Sequence, residues 1–339
     1  MLPADTPSPL RPPTMRDSRL SRRDVIQLGL GAGLGAALTP FGTLGRLMAQ
    51  GAPDAVLAVQ AGAQILRAIP SSGEKIPVIG IGTARRYEAP TAEDKPALLD
   101  TVRRFSELGG KLIDTAPGYG QAEVVVGELV SQLGIRDKLF LATKVSVRGT
   151  GVAPGIAQME ESFRRFHTDR IDLMQIWNLG GTELLLPVLR EMKAAKKIRY
   201  IGVTTSNERQ YPALEALMAK EPLDFIQVDY AVDNREADQR ILPLAKERGI
   251  GVLINLPFGR SRVFQNVLDK PVPDWAKEFD AATWPQVFLK YIVSNPAVTC
   301  VIPGTAKVAY ANDNVAASRG RLPDEAMRKR IEAYIASKA

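Results

Sequence analysis

The sequence predicts an α/β barrel, a parallel sheet closed on itself inside a ring of helices. Three observations carry this. Eight short apolar runs rich in β-branched residues lie between residues 76 and 305. Amphipathic stretches such as "ALLDTVRRFSELG" and "ILPLAKERG" separate them, and several stop at a glycine, among them Gly109, Gly134 and Gly249. No G-x-G-x-x-G follows the first run, so the turn that opens many doubly wound sheets is missing. Strands apolar along their whole length belong to a sheet covered on both faces. Eight strand–helix units over roughly 260 residues suit a closed barrel better than an open sheet.

The elements follow in order. "QILRAIPSSGEKIPVIGIG" holds two apolar segments around Ser71, Ser72 and Gly73. That predicts a β-hairpin running into the first strand, 76–82. The next strands are expected at 111–116, 139–145, 172–178, 198–204, 225–230, 251–257 and 300–305. The connection 258–282 is the longest, and long connections in compact domains are often functional. With Arg260, Arg262, Trp275 and nearby Trp284 it is expected to shape a pocket. Residues 323–337, with "DEAMRKRIEAYIAS", read as a C-terminal helix packed across the barrel or offered to a second copy. The expected architecture is a (β/α)8 TIM barrel over residues 51–339, with an N-terminal hairpin and a C-terminal helix, in a monomer.

Composition narrows the function. The chain is 45% hydrophobic and 24% charged, which is ordinary for a globular protein. Of its net charge of +7, the first fifty residues hold +3, from six Arg and three Asp, leaving +4. No basic run with interleaved aromatics occurs, so nucleic acid is not an expected partner. The single cysteine, Cys300, excludes an intrachain disulfide. The single histidine, His167, speaks against a zinc or iron centre, so no metal is expected. No G-x-S-x-G elbow is present for a serine triad.

Residues 1–20 are Pro- and Arg-rich without an apolar period and read as disordered. "SRRDVIQLGLGAGLGAALTP" follows, two arginines before a Gly/Ala/Leu run without charge after Asp24. The run is short of the roughly 20 residues a membrane span needs and fits the apolar region of an export signal. It resembles a twin-arginine signal: Ser21, Arg22 and Arg23 match, Val25 and Ile26 are hydrophobic substitutes, and Gln27 stands for lysine. Residues 1–50 are therefore expected to be a tail plus signal, cut after Ala49 or a few residues later. Such a signal implies the twin-arginine machinery as a partner, export in the folded state and a periplasmic location.

In a barrel of this kind, polar residues at the C-terminal ends of strands converge on one mouth. Strand two ends in "DTAPGYG", with Asp114 and Tyr119. Strand three ends in "ATKV", with Lys144, and strand four in Trp177 and Asn178. Strand six carries Gln227 and Tyr230, strand seven ends in "NLPFGR" and strand eight in "IPGTAK". A lysine ammonium beside a phenol is expected to lower the phenol's pKa from about 10. Tyr119 would then be poised as a general acid toward a carbonyl oxygen, with Asp114 aiming Lys144. A buried Asp–Lys pair with Tyr119 as a loop aromatic is the alternative on spacing alone.

These residues also carry a resemblance. "GGKLIDTAPGYGQAEVVVGELV" resembles the D-x-A-x-x-Y-G motif of the aldo-keto reductase superfamily, with its following acidic residue and glycine. "LATKV" resembles that family's lysine strand, "RIDLMQIWNL" its fourth strand, "AAKKIRYIGVT" its fifth and "CVIPGTAKVAYANDNVAA" its cofactor-clamping eighth. The match runs in order from about residue 64 to residue 317. It implies a nicotinamide cofactor bound extended, without a Rossmann fold, and a small-molecule carbonyl substrate. By position, Gln227 and Thr204 or Thr205 would hold the carboxamide, and Pro257, Phe258 and Gly259 would lie along the pyrophosphate. Gly304, Thr305 and Lys307 would meet the ribose phosphate and Asn314 the adenine. Lys307 suits a 2′-phosphate, favouring NADPH over NADH.

The resemblance breaks at two places. The family's fourth strand ends in a histidine that donates a hydrogen bond to the substrate carbonyl; here Trp177 holds that slot. Its indole N–H can donate but not accept. In a regular strand Asn178 would point to the opposite face. His167, at the end of a helical stretch, is expected to be a surface residue. Asn255 stands where a nicotinamide-stacking tyrosine is common. Three readings follow: an exported NADPH-dependent carbonyl reductase with Tyr119, Lys144, Asp114 and Trp177 in its site; an NADP(H)-binding protein with little turnover; or a barrel that oxidises or dehydrates a sugar-like ligand.

Overall fold

Strands β1 (Leu66–Ala68) and β2 (Lys75–Pro77) of the computed structural model form an antiparallel hairpin. The structure describes residues 62–337 except Arg148 and Thr150. All fall within one compact unit, residues 40–339. The tail and signal expected over 1–50 lie outside the described residues.

Eight parallel strands follow: β3 (Ile81–Gly82), β4 (Leu112–Asp114), β5 (Phe140–Val145), β6 (Ile171–Ile176), β7 (Ile198–Thr204), β8 (Phe225–Asp229), β9 (Gly251–Asn255) and β10 (Cys300–Val301). They pair in chain order. The ring closes between β10 and β3, where Val301 N donates to Val78 O at 2.8 Å and Gly82 N to Pro303 O at 3.0 Å. This is the predicted TIM barrel. The helices are α1 (Asp94–Glu107), α2 (Ala122–Leu133), α3 (Ala153–Arg165), α4 (Thr182–Ala194), α5 (Tyr211–Lys220), α6 (Glu236–Gln239), α7 (Ile241–Glu247), α8 (Arg262–Gln265), α9 (Trp284–Val293), α10 (Val308–Ala316) and α11 (Glu325–Ala336).

The fifth expected strand, 198–204, is β7 residue for residue, but the others were too long at one or both ends. The first, 76–82, is two pieces, because β2 belongs to the hairpin before the chain enters the barrel at β3. Strands four, six, seven and eight stop at Ile176, Asp229, Asn255 and Val301. The residues beyond turn away from the sheet into the loops that ring the mouth. Connection 258–282 is not structureless either; it holds α8 and 3-10 turns at Gly259–Ser261 and Asp274–Phe279.

Side chains alternate across the strands with period two, which sorts them into two cores. Ile113, Leu141, Met174, Val203, Ile226 and Val252 face outward into the helices. Leu112, Phe140, Leu173, Tyr200, Phe225 and Leu253 face inward and meet Ile69 and Ile76 of the hairpin in an apolar plug. Ser72 Oγ lies 2.8 Å from Tyr200 Oη, which donates to Glu74 at 2.7 Å, so the hairpin is tied across the barrel's N-terminal end. The open end is the opposite one.

Helix α11 lies along the side of the barrel. Tyr291 of α9 donates to Glu332 at 2.5 Å. The rings of Trp275 and Trp284 pack against Tyr334 at 5.8 and 5.7 Å, and Trp284 Nε1 donates to Lys270 O at 2.9 Å. These two tryptophans therefore fasten the long connection to α11, and the expectation that they shape the pocket is corrected. Tyr230 is corrected as well: it is fully buried outside the mouth, bonded to Asp238 and to Arg328 of α11.

Candidate active site

Above the apolar plug the inward positions become polar. Register aligns Lys144 with Gln175, Gln175 with Gly202, and Thr204 with Gln227. Asp114 and Lys144 are almost wholly buried, 3% and 2% exposed. Buried charges survive only when paired and hydrogen-bonded, and both are. Lys144 Nζ donates to Asp114 Oδ2 at 2.5 Å and to Thr115 O at 2.7 Å. Asp114 Oδ1 accepts from Gln227 Nε2 at 2.9 Å and from Gln175 Nε2 at 3.1 Å. The sequence points to Asp114, Lys144 and Gln227 but its strand-end pattern passes over Gln175. The available signal was its spacing, two residues before Trp177 on the same strand face.

Tyr119 comes from the turn between β4 and α2. That turn is held by Tyr119 N to Ala116 O at 3.0 Å and by Gln121 N to Glu88 O at 2.8 Å. Gly120 sits at φ 52° with Glu88 O only 2.5 Å from where a Cβ would be, so a side chain has neither the room nor the favoured backbone. Lys144 Nζ stands 5.3 Å from the Tyr119 ring centroid. The expected lowering of the phenol pKa does not occur. Burial pushes it above the ordinary tyrosine value; Lys144's charge pulls the other way, while Asp114 and Glu88 add to the rise. Tyr119 is thus a neutral phenol with a proton to give.

Trp177 follows β6 in a 3-10 turn, Trp177–Leu179. Its ring meets Tyr119 edge to face, centroids 5.5 Å apart at 86°. It also lies against Gly118, where a Cβ would stand 2.4 Å from Trp177 Cζ3. Asn178 does not continue the strand. It takes φ 50°, its N–H donates to Thr204 Oγ1 at 3.2 Å, and its carbonyl accepts from Gln210 Nε2 at 3.0 Å. His167 is exposed on the outer side, Nδ1 3.2 Å from Ser131 Oγ, and takes no part.

The residues expected around a cofactor ring the same mouth. Thr205 Oγ1 is engaged by its own loop, with Gln210 Oε1 at 2.5 Å and Asn207 N at 3.0 Å. Thr204 Oγ1 accepts one bond and has its proton to offer. Gln227 spends its NH2 on Asp114, and its Oε1 takes no hydrogen bond among the described residues. Beyond Pro257 and Phe258, the residues Gly259, Arg260 and Ser261 all have positive φ, at 52°, 55° and 78°. Two of the three are not glycine, and such strain concentrates at ligand clamps. Gly304 has open space where a Cβ would be, Lys307 is exposed, and Tyr87 Oη holds Thr305 O at 3.0 Å. Asn314, 2% exposed, donates to Thr305 Oγ1 at 3.0 Å and leaves its Oδ1 buried without a partner. Thr115 Oγ1, Gln175 Oε1 and Asn255 Oδ1 are likewise buried and unpartnered. Native folds leave few such atoms. An amide oxygen like that of Asn314 fits an adenine amino group, so the donor set is compatible with a dinucleotide.

The Aldo/keto reductase family profile matches residues 78–335, most of the chain. The chain belongs to that family, and by class it is an NAD(P)H-dependent oxidoreductase. It is similar to aldo-keto reductase YhdN of Bacillus subtilis, 35% identical over 174 residues, which is 48% of this chain and about half, 52%, of that relative. Similarity to methylglyoxal reductase YeaE of Escherichia coli is broader, 29% identity over 273 residues, 79% of this chain and 94% of that one. A crystal structure of an aldo/keto reductase from Klebsiella pneumoniae, in complex with NADP and acetate, superposes with a TM-score of 0.66. It is 24% identical and covers 79% of this chain and 95% of its own, and it supports the fold.

Proposed function

We propose that this protein reduces the carbonyl group of a small aldehyde or ketone with NADPH, Tyr119 serving as general acid. The observation that carries the reading is the neutral phenol of Tyr119 beside the buried Lys144–Asp114 pair at the barrel mouth. The cofactor, when bound, supplies the hydride. Tyr119 Oη gives its proton to the carbonyl oxygen as negative charge develops there. Lys144, 5.3 Å from the ring centroid, stabilises the tyrosinate left behind, and Asp114 with Thr115 O holds the ammonium in place. Thr204, with a proton to offer, and Gln227, with its Oε1 free, would receive the carboxamide. Lys307, a point charge suited to a 2′-phosphate, favours NADPH over NADH. The E. coli relative is a methylglyoxal reductase, and that supports a small carbonyl substrate.

Trp177 supports a second reading. Its ring fills the space beside Tyr119 and Gly118 that a histidine would leave open. Loss of one oxyanion donor lowers rate by roughly 10²–10³, so the chain would hold NADP(H) and turn over slowly. Product analysis with NADPH and with NADP⁺ across a panel of aldehydes, ketones and sugars decides between them. Alcohol formed from NADPH supports the reductase. Tight NADPH binding without product supports the binding protein.

We also propose that the protein is exported folded by the twin-arginine route, on the strength of Ser21, Arg22 and Arg23 before the uncharged apolar run. Fractionation of cells expressing the full chain and its Arg22→Lys/Arg23→Lys variant tests this. Equal distribution of the two would rule it out.

A further inference from the structure

We infer that Gln175 is a positioning residue for the acid chemistry of Tyr119, acting through Asp114. The inference rests on Tyr119 being the general acid. Gln175 lies mid-strand in β6, inside the barrel and 0% exposed. Its neighbours in register are Lys144 on one side and Gly202 on the other. Gly202 makes its room: a Cβ there would stand 3.1 Å from Gln175 Cγ and 3.1 Å from Phe225 O. Barrel interiors are filled mainly by branched apolar residues, and a leucine in this place would carry no polar atom to bury. The glutamine carries one: its Oε1 is buried with no partner. What the amide supplies in return is its Nε2–H, which donates to Asp114 Oδ1 at 3.1 Å.

Asp114 thereby receives donors from three strands: Lys144 of β5, Gln175 of β6 and Gln227 of β8. The two amides fix Oδ1, and this leaves Oδ2 aimed at Lys144. They also place the positive ends of two dipoles on the carboxylate, which damps its field at Tyr119. That field matters because Asp114 opposes ionisation of the phenol while Lys144 favours it. Glu88 is the other charge facing Tyr119 and also opposes ionisation. Beneath Asp114 lies the Cys300 thiol, kept neutral by burial. Without the Gln175 amide, the carboxylate's field is less damped and the proton is held more firmly on Tyr119.

The test needs no substrate. The full chain is labelled with a ring-fluorinated tyrosine, and the Tyr119 resonance is assigned by its loss in Tyr119→Phe. Its titration midpoint is read by fluorine NMR in the unmutated protein, in Gln175→Leu and in the isosteric Gln175→Glu. The expected result is a midpoint raised by about half a pH unit or more in Gln175→Leu, and by more in Gln175→Glu, which adds a carboxylate beside Asp114. Unchanged midpoints in folded variants would overturn the inference. Loss of folding in both would also overturn it, by making Gln175 a packing residue. A raised midpoint in a chain that shows no carbonyl turnover would overturn the general-acid reading on which the inference rests, while showing that Gln175 still sets the hold on the Tyr119 proton.

Discussion

Gly118 and Trp177 occupy adjoining space: a Cβ on Gly118 would lie 2.4 Å from Trp177 Cζ3 and 2.6 Å from Cη2. The indole of Trp177 is therefore seated on the backbone of the very turn that carries Tyr119. A side chain on Gly118 would have to displace the indole.

Gly118→Ala is expected to destabilise the fold by about 1–3 kcal/mol, the usual cost of overpacking. It should also lower carbonyl turnover by displacing Tyr119. Combining it with Trp177→Ala should recover most of the lost stability. Denaturant midpoints of the two single variants and the double variant measure the coupling; strictly additive effects would mean that the two do not press on each other.

Trp177→His should speed reduction of small aldehydes by roughly 10²-fold if a missing donor is what limits the rate. NADPH affinity should hardly change, because the residues proposed to hold the cofactor come from other strands. Steady-state kinetics on matched aldehydes check this. No gain in a folded variant would show that the pocket is shaped around the indole.

Because burial raises the Tyr119 pKa, reduction should stay level through neutral pH and decline only above the ordinary tyrosine range near 10. The acid form is the active form, so the loss comes as pH rises. No histidine limb is expected, since His167 lies on the outer surface away from Tyr119. A pH–rate profile with a histidine limb would contradict this assignment.

Asp313 gives a separate test of stability. It is 4% exposed, accepts from Thr283 and Gln286, and burial raises its carboxyl pKa to about 6. A raised acid pKa means the fold binds the proton more tightly than the unfolded chain does. This contribution is fully present below the ordinary value of 3.8 and is lost as pH rises through 6. A shift of this size corresponds to about 2–3 kcal/mol. Urea unfolding at several pH values should show a decline between pH 4 and about 7 in the unmutated chain, and a smaller one in Asp313→Asn.

Much of this was legible in the sequence because period-two patterning and glycine stops are local signals. Asp114, Lys144 and Tyr119 were found from strand ends, and the structure brings them together. Tyr230 was misplaced because the strand ends one residue earlier and the chain turns its ring outward toward Asp238. Trp275 and Trp284 were assigned to the pocket because their contacts with Tyr334 depend on how α11 docks, which no local pattern encodes. The direction of the Tyr119 shift was missed for a different reason: a nearby lysine can be read from a motif, but depth of burial cannot. Gln175 was passed over as one polar letter in an apolar strand, although its spacing from Trp177 marked it as facing the mouth.

The most direct measurement is NADPH oxidation by the purified chain against small aldehydes, ketones and quinones, with Tyr119→Phe run alongside. The account predicts slow turnover that disappears in Tyr119→Phe while NADPH binding persists. Turnover undiminished in Tyr119→Phe, or none by the unmutated chain on the whole panel, would contradict it.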